Sequence, residues 1–376
     1  MPRRVGKPQS AVNLKHLADY LQLTPGTVSV VLNGVPRASE IPQKTQDRIF
    51  AAARKLNYRP SHVARTLKNK RSLMVGILAP EVSEGYGALL LNALGEYLIR
   101  QGYFYLVATH GRRPDLLEEY PRMLTERLVE GFIVIDTALE NPLPLPAVAI
   151  SGHTSLPNLT NVVLDHDRAA SLALHHLTQL GHKRILFMKG QPFSSDSADR
   201  WRATQQAAIR LGIKVLPQLT LQLTMDTFSP EVGYPLMRQF LKKKAEFTAL
   251  VAYNDFSAIG AIRSLREAGL RVPEDVSVVG FDDVNSAAYQ NPSLTTIRQP
   301  WKKMAQIAAK TLLDRLIGKR APKQILVEPE LIVRESTGPC PAHFPAPTRT
   351  PRQVQPRTES AVETSRARTA RLTSLP

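Results

Sequence analysis

The sequence predicts two units of different class: a small all-α helix-turn-helix headpiece at the N-terminus, and an α/β body of two parallel-sheet lobes behind it. Three observations predict this. Positive charge is concentrated at the start: residues 1–71 carry 14 Lys/Arg against 3 Asp/Glu, whereas residues 72–339 carry 29 against 27. Apolar residues in the first segment recur at helical spacing. From about residue 72 the rhythm changes to short aliphatic runs alternating with helical stretches, the pattern of βαβ units and a parallel sheet.

Composition sets the outer bounds. The chain has 376 residues, a length suited to two or three domains. A hydrophobic fraction of 43% is ample for a packed core, and a net charge of +17 suggests a polyanionic partner. Cys340 is the single cysteine, so no intrachain disulfide and no C-x-x-C site can form. No run of 18 apolar residues occurs, and residues 1–10 are basic without the apolar core of a secretory signal. The expectation is a cytoplasmic protein with no membrane partner. Residues 1–11 read as a disordered basic arm. Residues 340–376, rich in Pro, Thr, Ser and Arg, read as a disordered tail.

Within residues 12–60 the spacing predicts three helices. Leu14, Leu17, Ala18 and Leu21 form an apolar stripe, with Asn13 placed to cap it. Thr24 followed by Pro25 opens a second helix, which buries Val28, Val31 and Leu32 and ends at Asn33-Gly34. A loop over 35–41 leads to a third helix over 42–56, with Ile49, Ala52, Ala53 and Leu56 inward. The second helix begins Thr24-Pro25-Gly26-Thr27-Val28-Ser29. Small and hydroxyl-bearing residues at a helix start allow close approach to a duplex, and free N–H groups there favour phosphate. Charge and spacing together indicate DNA binding. Residues 61–71 are a basic linker able to form one brief helix.

The body, residues 72–339, is too large for one sheet and so predicts two lobes. Expected strands cover 74–79, 104–108, 131–135, 148–150, 185–188, 249–252 and 276–281, with helices over 87–101, 169–180, 203–211 and 257–268. Catalytic patterns are missing: there is no P-loop, no G-x-S-x-G and no H-E-x-x-H. Asp165-His166-Asp167 has metal-ligand residue types. On a strand its successive members would point to alternate faces, and no further ligand cluster is evident in the chain. No catalytic residue, metal or cofactor is assigned.

Several segments together resemble the LacI/GalR family of transcriptional regulators. The headpiece carries Leu14-Lys15-His16-Leu17-Ala18, Thr27-Val28-Ser29 through Asn33-Gly34, and Ala51-Ala52-Ala53 through Tyr58-Arg59-Pro60. The body carries Gly181-His182, Tyr253-Asn254-Asp255 with Gly260-Ala261, Val272-Pro273-Glu274-Asp275 through Asp282-Asp283, and Pro292 through Ile297. Coverage is about residues 12–339.

The resemblance implies a homodimer on a pseudo-palindromic double-stranded DNA operator. It also implies a periplasmic-binding-protein-like body closing on a small effector, most often a carbohydrate. DNA contact is carried over to Lys15, Thr24, Pro25, Gly26, Thr27, Ser29, Val30, Asn33 and Tyr58. A hinge helix would span Ser61, Ala64 and Leu67, with Leu67 as a minor-groove wedge. Effector contact is carried over to Arg200, Asn254 and Asp282, and more weakly to Asp165, Tyr86 and Phe193. The chain departs from the pattern at Val30, where an arginine is frequent, and at Pro25-Gly26, where bulky or polar base-readers stand. Two other classes compete with a ligand-switched repressor: a regulator answering to a protein partner, and a solute-binding receptor. The basic headpiece argues against the receptor.

Overall fold

The computed structural model describes residues 12–59, 66, 71–82, 85–225 and 229–343. The headpiece consists of α1 (Leu14–Leu21), α2 (Pro25–Leu32) and α3 (Gln43–Lys55). Asn13 caps α1, its Oδ1 accepting from the His16 N–H at 2.8 Å. Gln22 then takes a left-handed conformation (φ 57°) that ends the helix and turns the chain. Thr24 caps α2 by accepting from the Thr27 N–H at 3.2 Å, with Pro25 next in line. Leu17, Ala18, Leu21, Val28, Val31, Ile49, Ala52 and Ala53 form the shared core. The segment expected as a plain loop instead contains one 3-10 turn, Pro36–Glu40. Pro36 fixes its opening φ, and the Ser39 hydroxyl donates to Pro36 O at 2.7 Å.

The body has two sheets. The first lobe holds β1 (Met74–Ala79), α4 (Tyr86–Arg100), β2 (Phe104–Thr109), α5 (Pro114–Glu126), β3 (Gly131–Ile135), β4 (Ala147–Ile150) and β5 (Leu159–Leu164). The second holds α6 (His166–Gln179), β6 (Ile185–Lys189), α7 (Ser197–Arg210), β7 (Thr220–Gln222), α8 (Tyr234–Leu241), β8 (Ala249–Val251), α9 (Asp255–Glu267), β9 (Ser277–Asp282) and β10 (Thr295–Arg298). The chain then returns to the first lobe as α10 (Trp301–Leu316) and β11 (Gln324–Val327), and crosses once more as β12 (Glu330–Ile332). Strand orders are β11-β5-β4-β3-β1-β2 and β12-β10-β9-β8-β6-β7. All pairings are parallel except β10 with β12. Both sheets are covered by helices, which is why β3, β4, β5 and β9 are buried at every position.

The seven expected strands and four expected helices of the body all form, with ends shifted by a few residues. The largest shifts are at two helix starts. Asp165 caps α6, so Asp165-His166-Asp167 opens a helix and is not a strand. Five strands and three helices were not anticipated. They include β5, which carries Thr160 and Asn161 among its aliphatics; both side chains are bonded, to Pro322 O at 2.8 Å and Thr154 O at 3.0 Å. They also include α5, which continues through an internal Pro121. Order reaches into the expected tail, where the Cys340 N–H donates to Leu180 O at 2.8 Å. Residues 1–11 and 344–376 lie outside the described residues.

Two glycines let α8 and α9 approach closely. A Cβ on Gly260 would stand 2.0 Å from Pro230 O and 2.7 Å from Tyr234 N; one on Gly233 would stand 2.0 Å from Ser257 O. These obstacles are backbone and cannot swing aside. Gly260→Ala is therefore expected to destabilise the body by about 1–3 kcal/mol, as overpacking does. Urea unfolding of the variant against the parent checks this.

Candidate functional site

The strands of both lobes point their C-terminal ends at one seam, where open parallel sheets bind ligands. Four strand-end residues there have positive φ: Asp136 (40°) after β3, Ser151 (58°) after β4, and Asp282 (111°) and Asp283 (55°) at the end of β9. None is glycine, so the surrounding contacts hold the backbone in a disfavoured region; Asp136, Ser151 and Asp282 face the seam, whereas Asp283 pairs with Arg298 and Arg334.

Arg200, on the first turn of α7, is the centre of the seam. Its guanidinium lies 3.7 Å from the Phe281 ring centroid and 4.5 Å from that of Tyr253. It donates to Tyr253 O at 2.8 Å and to Asp196 Oδ2 at 3.2 Å. Its Nε is buried and makes no hydrogen bond. Asp282 accepts from Gln299 Nε2 at 2.6 Å, and the other atom of that amide, Gln299 Oε1, is likewise buried without a partner. Asn254 caps α9 through a reciprocal pair with Ser257. Tyr86, at the start of α4, sets its hydroxyl 3.4 Å from Ser151 Oγ.

These groups surround a cavity of about 60 Å³ lined by Tyr86, Asp136, Ser151, Ser194, Asp196, Arg200, Tyr253, Asn254, Asp282 and Gln299. Both lobes contribute, and polar contacts latch them together. Asp136 of the first lobe accepts from Ser195 Oγ at 2.7 Å and Ser194 Oγ at 3.3 Å, both from the second. Ser195 Oγ is also within hydrogen-bond reach of Ser151 O, so its one proton is shared between the two acceptors. His153 Nε2 lies 2.6 Å from Asp196 Oδ1, and His153 Nδ1 lies 3.0 Å from Asp199 Oδ2.

Burial sets the charge state. It pushes the Asp282 carboxyl up to about 7 against the pull of Arg200 and Gln299, and the charges of Asp196 and Asp136 add to the rise. Burial, together with the charge of Asp196, raises Asp136 to about 6. Asp196 goes the other way. Burial would raise it, but His166, His153 and Arg200 hold it well below the usual carboxylate range.

Of the expected effector residues, Arg200, Asn254, Asp282 and Tyr86 line the cavity. Asp165 does not: its Oδ1 accepts from the Arg168 N–H at 2.8 Å, so it is occupied as a helix cap. Phe193 lies in a separate outer groove beside His110 and Leu117, with the Arg112 guanidinium 4.5 Å from its ring centroid. Sequence reasoning missed Asp136, Ser151, Asp196, Tyr253 and Gln299. Tyr253 adjoins Asn254, and Asp136 and Ser151 follow aliphatic strands. That position was their only signal.

In the headpiece, Lys15, Thr24, Pro25, Gly26 and Asn33 are exposed, while Thr27, Ser29, Val30 and Tyr58 are half-buried. Two pairs are engaged locally: Thr24 Oγ1 with Thr27 Oγ1 at 2.9 Å, and Asn33 Nδ2 donating to Ser29 O at 2.7 Å. Ser61, Ala64 and Leu67 lie outside the described residues. No described helix is long and apolar enough to cross a membrane.

The raised carboxyl values give a pH dependence. An acid whose folded pKa lies above its unfolded value of about 4 favours the folded state below that value. That contribution is lost as pH rises from about 4 through the folded values, about 6 for Asp136 and about 7 for Asp282. Thermal midpoints are expected to fall from pH 5 to pH 8. Asp282→Asn, which can still accept from Gln299, should flatten that fall by a few degrees in calorimetric scans across the range.

Comparison with known proteins agrees with this architecture. A family model described as a periplasmic binding protein-like domain matches residues 174–337. The HTH-type transcriptional repressor PurR of Haemophilus influenzae is 30% identical over 338 residues, covering 86% of this chain and 98% of that protein. A Lac repressor dimer bound to operator and the anti-inducer ONPF superposes with a TM-score of 0.80 at 26% identity, over 88% of this chain and all of that one. A CelR–cellobiose complex superposes with a TM-score of 0.65 at 26% identity, again over 88% of this chain and all of that one. With a helix-turn-helix before two lobes closed over a buried arginine, the chain belongs to the LacI/GalR family of transcriptional regulators.

Proposed function

We propose that this protein is a transcriptional repressor whose grip on DNA is set by a small, hydroxyl-rich ligand held between the lobes. It would bind a pseudo-palindromic operator as a homodimer. The observation that carries the ligand half is a pair of orphaned polar atoms on residues that line the cavity. Arg200 Nε is a donor and Gln299 Oε1 an acceptor, each buried without a protein partner. Native interiors leave few such groups, and a polyol can satisfy both. Solved relatives include complexes with cellobiose and with ribose, which supports a sugar-like occupant.

The cavity is smaller than the ~150 Å³ that admits a benzene-sized guest. The ligand therefore enters only when the lobes part. Parting breaks the Asp136–Ser195 and His153–Asp196 contacts, and closing on ligand re-forms them around it. A lobe movement of this kind would change the spacing of two headpieces in a dimer. Operator affinity and ligand affinity are then coupled with one reciprocal factor. The DNA half rests on the exposed, capped start of α2 and on the charge of the first 71 residues. With Val30 where an arginine would fork onto guanine, shape and backbone contacts carry more of the recognition.

Selection of bound duplexes from a random pool is expected to return a palindrome for the full-length protein. A protein lacking residues 1–70 should return none while still binding ligand. Recovery of no motif, with binding that collapses as salt rises, would reduce the interaction to charge alone. For the cleft, Arg200→Lys keeps the charge but loses the fork. It should weaken ligand binding about 10–100-fold, the worth of charged hydrogen bonds. Operator binding without ligand should stay intact. Titration calorimetry and operator anisotropy read the two separately.

A further inference from the structure

We propose that His153, His166 and Asp196 form a binding site for a divalent transition-metal ion, zinc foremost, at the seam between the two lobes. One ligand atom from each lies within 4.8 Å of the others. His166 Nε2 stands 3.3 Å from Asp196 Oδ1. Donors on a tetrahedral zinc, at about 2.0–2.1 Å from the metal, are about 3.3 Å apart. His153 Nε2, at 2.6 Å from the same oxygen, needs to move out by about 0.7 Å to match that spacing.

Two further observations favour a cation. His166 is only 7% exposed, and neither of its ring nitrogens makes a hydrogen bond. Its nearest polar neighbour is Asp196, met at 3.3 Å without hydrogen-bond alignment, and a metal between the two would satisfy both. His153 also has the outer arrangement of a metal-bound histidine. Its Nδ1 faces Asp199 Oδ2 at 3.0 Å, the carboxylate that would orient the ring, while its Nε2, which donates to Asp196 in the metal-free protein, would give up that proton to the incoming ion. Two imidazoles and a carboxylate suit zinc and its first-row neighbours rather than calcium or magnesium.

Placement gives the site its consequence. His153 follows β4 of the first lobe, Asp196 precedes α7 of the second, and His166 opens the helix where the chain first crosses between them. A metal held by all three ties the lobes closed, and parting them for ligand entry breaks a coordination bond. Asp196 also lines the effector cavity, so the fourth position is left to water or to a ligand hydroxyl. The metal assignment stands without the regulatory reading.

The test uses untagged full-length protein, stripped with chelator and dialysed. Zinc is titrated against a chromogenic competitor, and cobalt(II) is followed by its visible spectrum. One equivalent of tight zinc and the intense bands of tetrahedral cobalt are expected. Both should be lost in His166→Gln and in His153→Ala, the latter at a partly exposed position that tolerates truncation. Asp199→Asn should bind 10–100-fold more weakly, as outer-shell changes do. Absence of stoichiometric binding overturns the proposal. So do an octahedral cobalt spectrum and binding unchanged in His153→Ala.

Discussion

A guanidinium buried between two lobes is the constraint on which the rest of the cleft depends. Taking Arg200 out of water costs several kcal/mol unless its charge and its donors are met. The protein meets them from three directions. Asp196, one turn earlier in the chain, accepts from one arm, and the Tyr253 carbonyl at the end of the β8 segment accepts from another. The rings of Phe281 and Tyr253 lie against the guanidinium. Each partner lies at a strand end or a helix start of the second lobe, so Arg200 fixes how those ends stand relative to one another. The same charge restrains the rise of the Asp282 carboxyl.

The first lobe depends on this arrangement at one remove. It meets the second through Asp136, Ser151, His153 and Gly85, and each of these contacts residues that Arg200 holds or that neighbour them. Gly85 (φ 92°) passes so close that a Cβ would stand 2.6 Å from the Phe256 ring. Apolar packing is also continuous across the seam, from Ile77 and Ile150 to Phe187 and Phe281. Yet the contacts facing the cavity are polar and few, and polar contacts can be exchanged for water or ligand at small net change in free energy. Three chain crossings confine the relative motion of the lobes. That combination, a continuous floor and an exchangeable latch, suits closure about a hinge better than free separation.

The sequence was informative where local physics decides the outcome. The headpiece helices follow from Asn13 and Thr24 as caps and from one apolar stripe, and the structure places both caps as expected. The central strands were legible as aliphatic runs. β5 was not, because Thr160 and Asn161 interrupt its run, and their partners at Pro322 and Thr154 exist only once the chain has folded. Within the cleft, Arg200, Asn254 and Asp282 sit in recognisable motifs. Asp136 and Ser151 are single polar residues after strands, with nothing around them to distinguish a ligand group from a turn. Asp165 shows the opposite case: carried over as an effector contact by the resemblance, it is spent as a helix cap. His166 was set aside because no further ligand cluster was evident in the chain, and the fold brings His153 and Asp196 close to it.

The charge balance of the cavity narrows what can occupy it. Asp136, Asp196 and Asp282 face one guanidinium whose two terminal nitrogens are already engaged. A carboxylate or phosphate ligand would meet three acids in a low-dielectric space, with one guanidinium already paired to Asp196 to answer its charge. A neutral polyol meets no such penalty. Its hydroxyls donate to the acids and accept from Nε, and each hydroxyl can reverse role as Asp136 and Asp282 gain or lose protons near neutrality. Rings of Tyr86, Tyr253 and Phe256 line the same space and suit the apolar C–H face of a sugar. An amine-bearing ligand fits the acids equally well but would stand beside the buried guanidinium, where like charges repel. The arginine that organises the lobes therefore also selects against cations, while the acids it steadies select against anions.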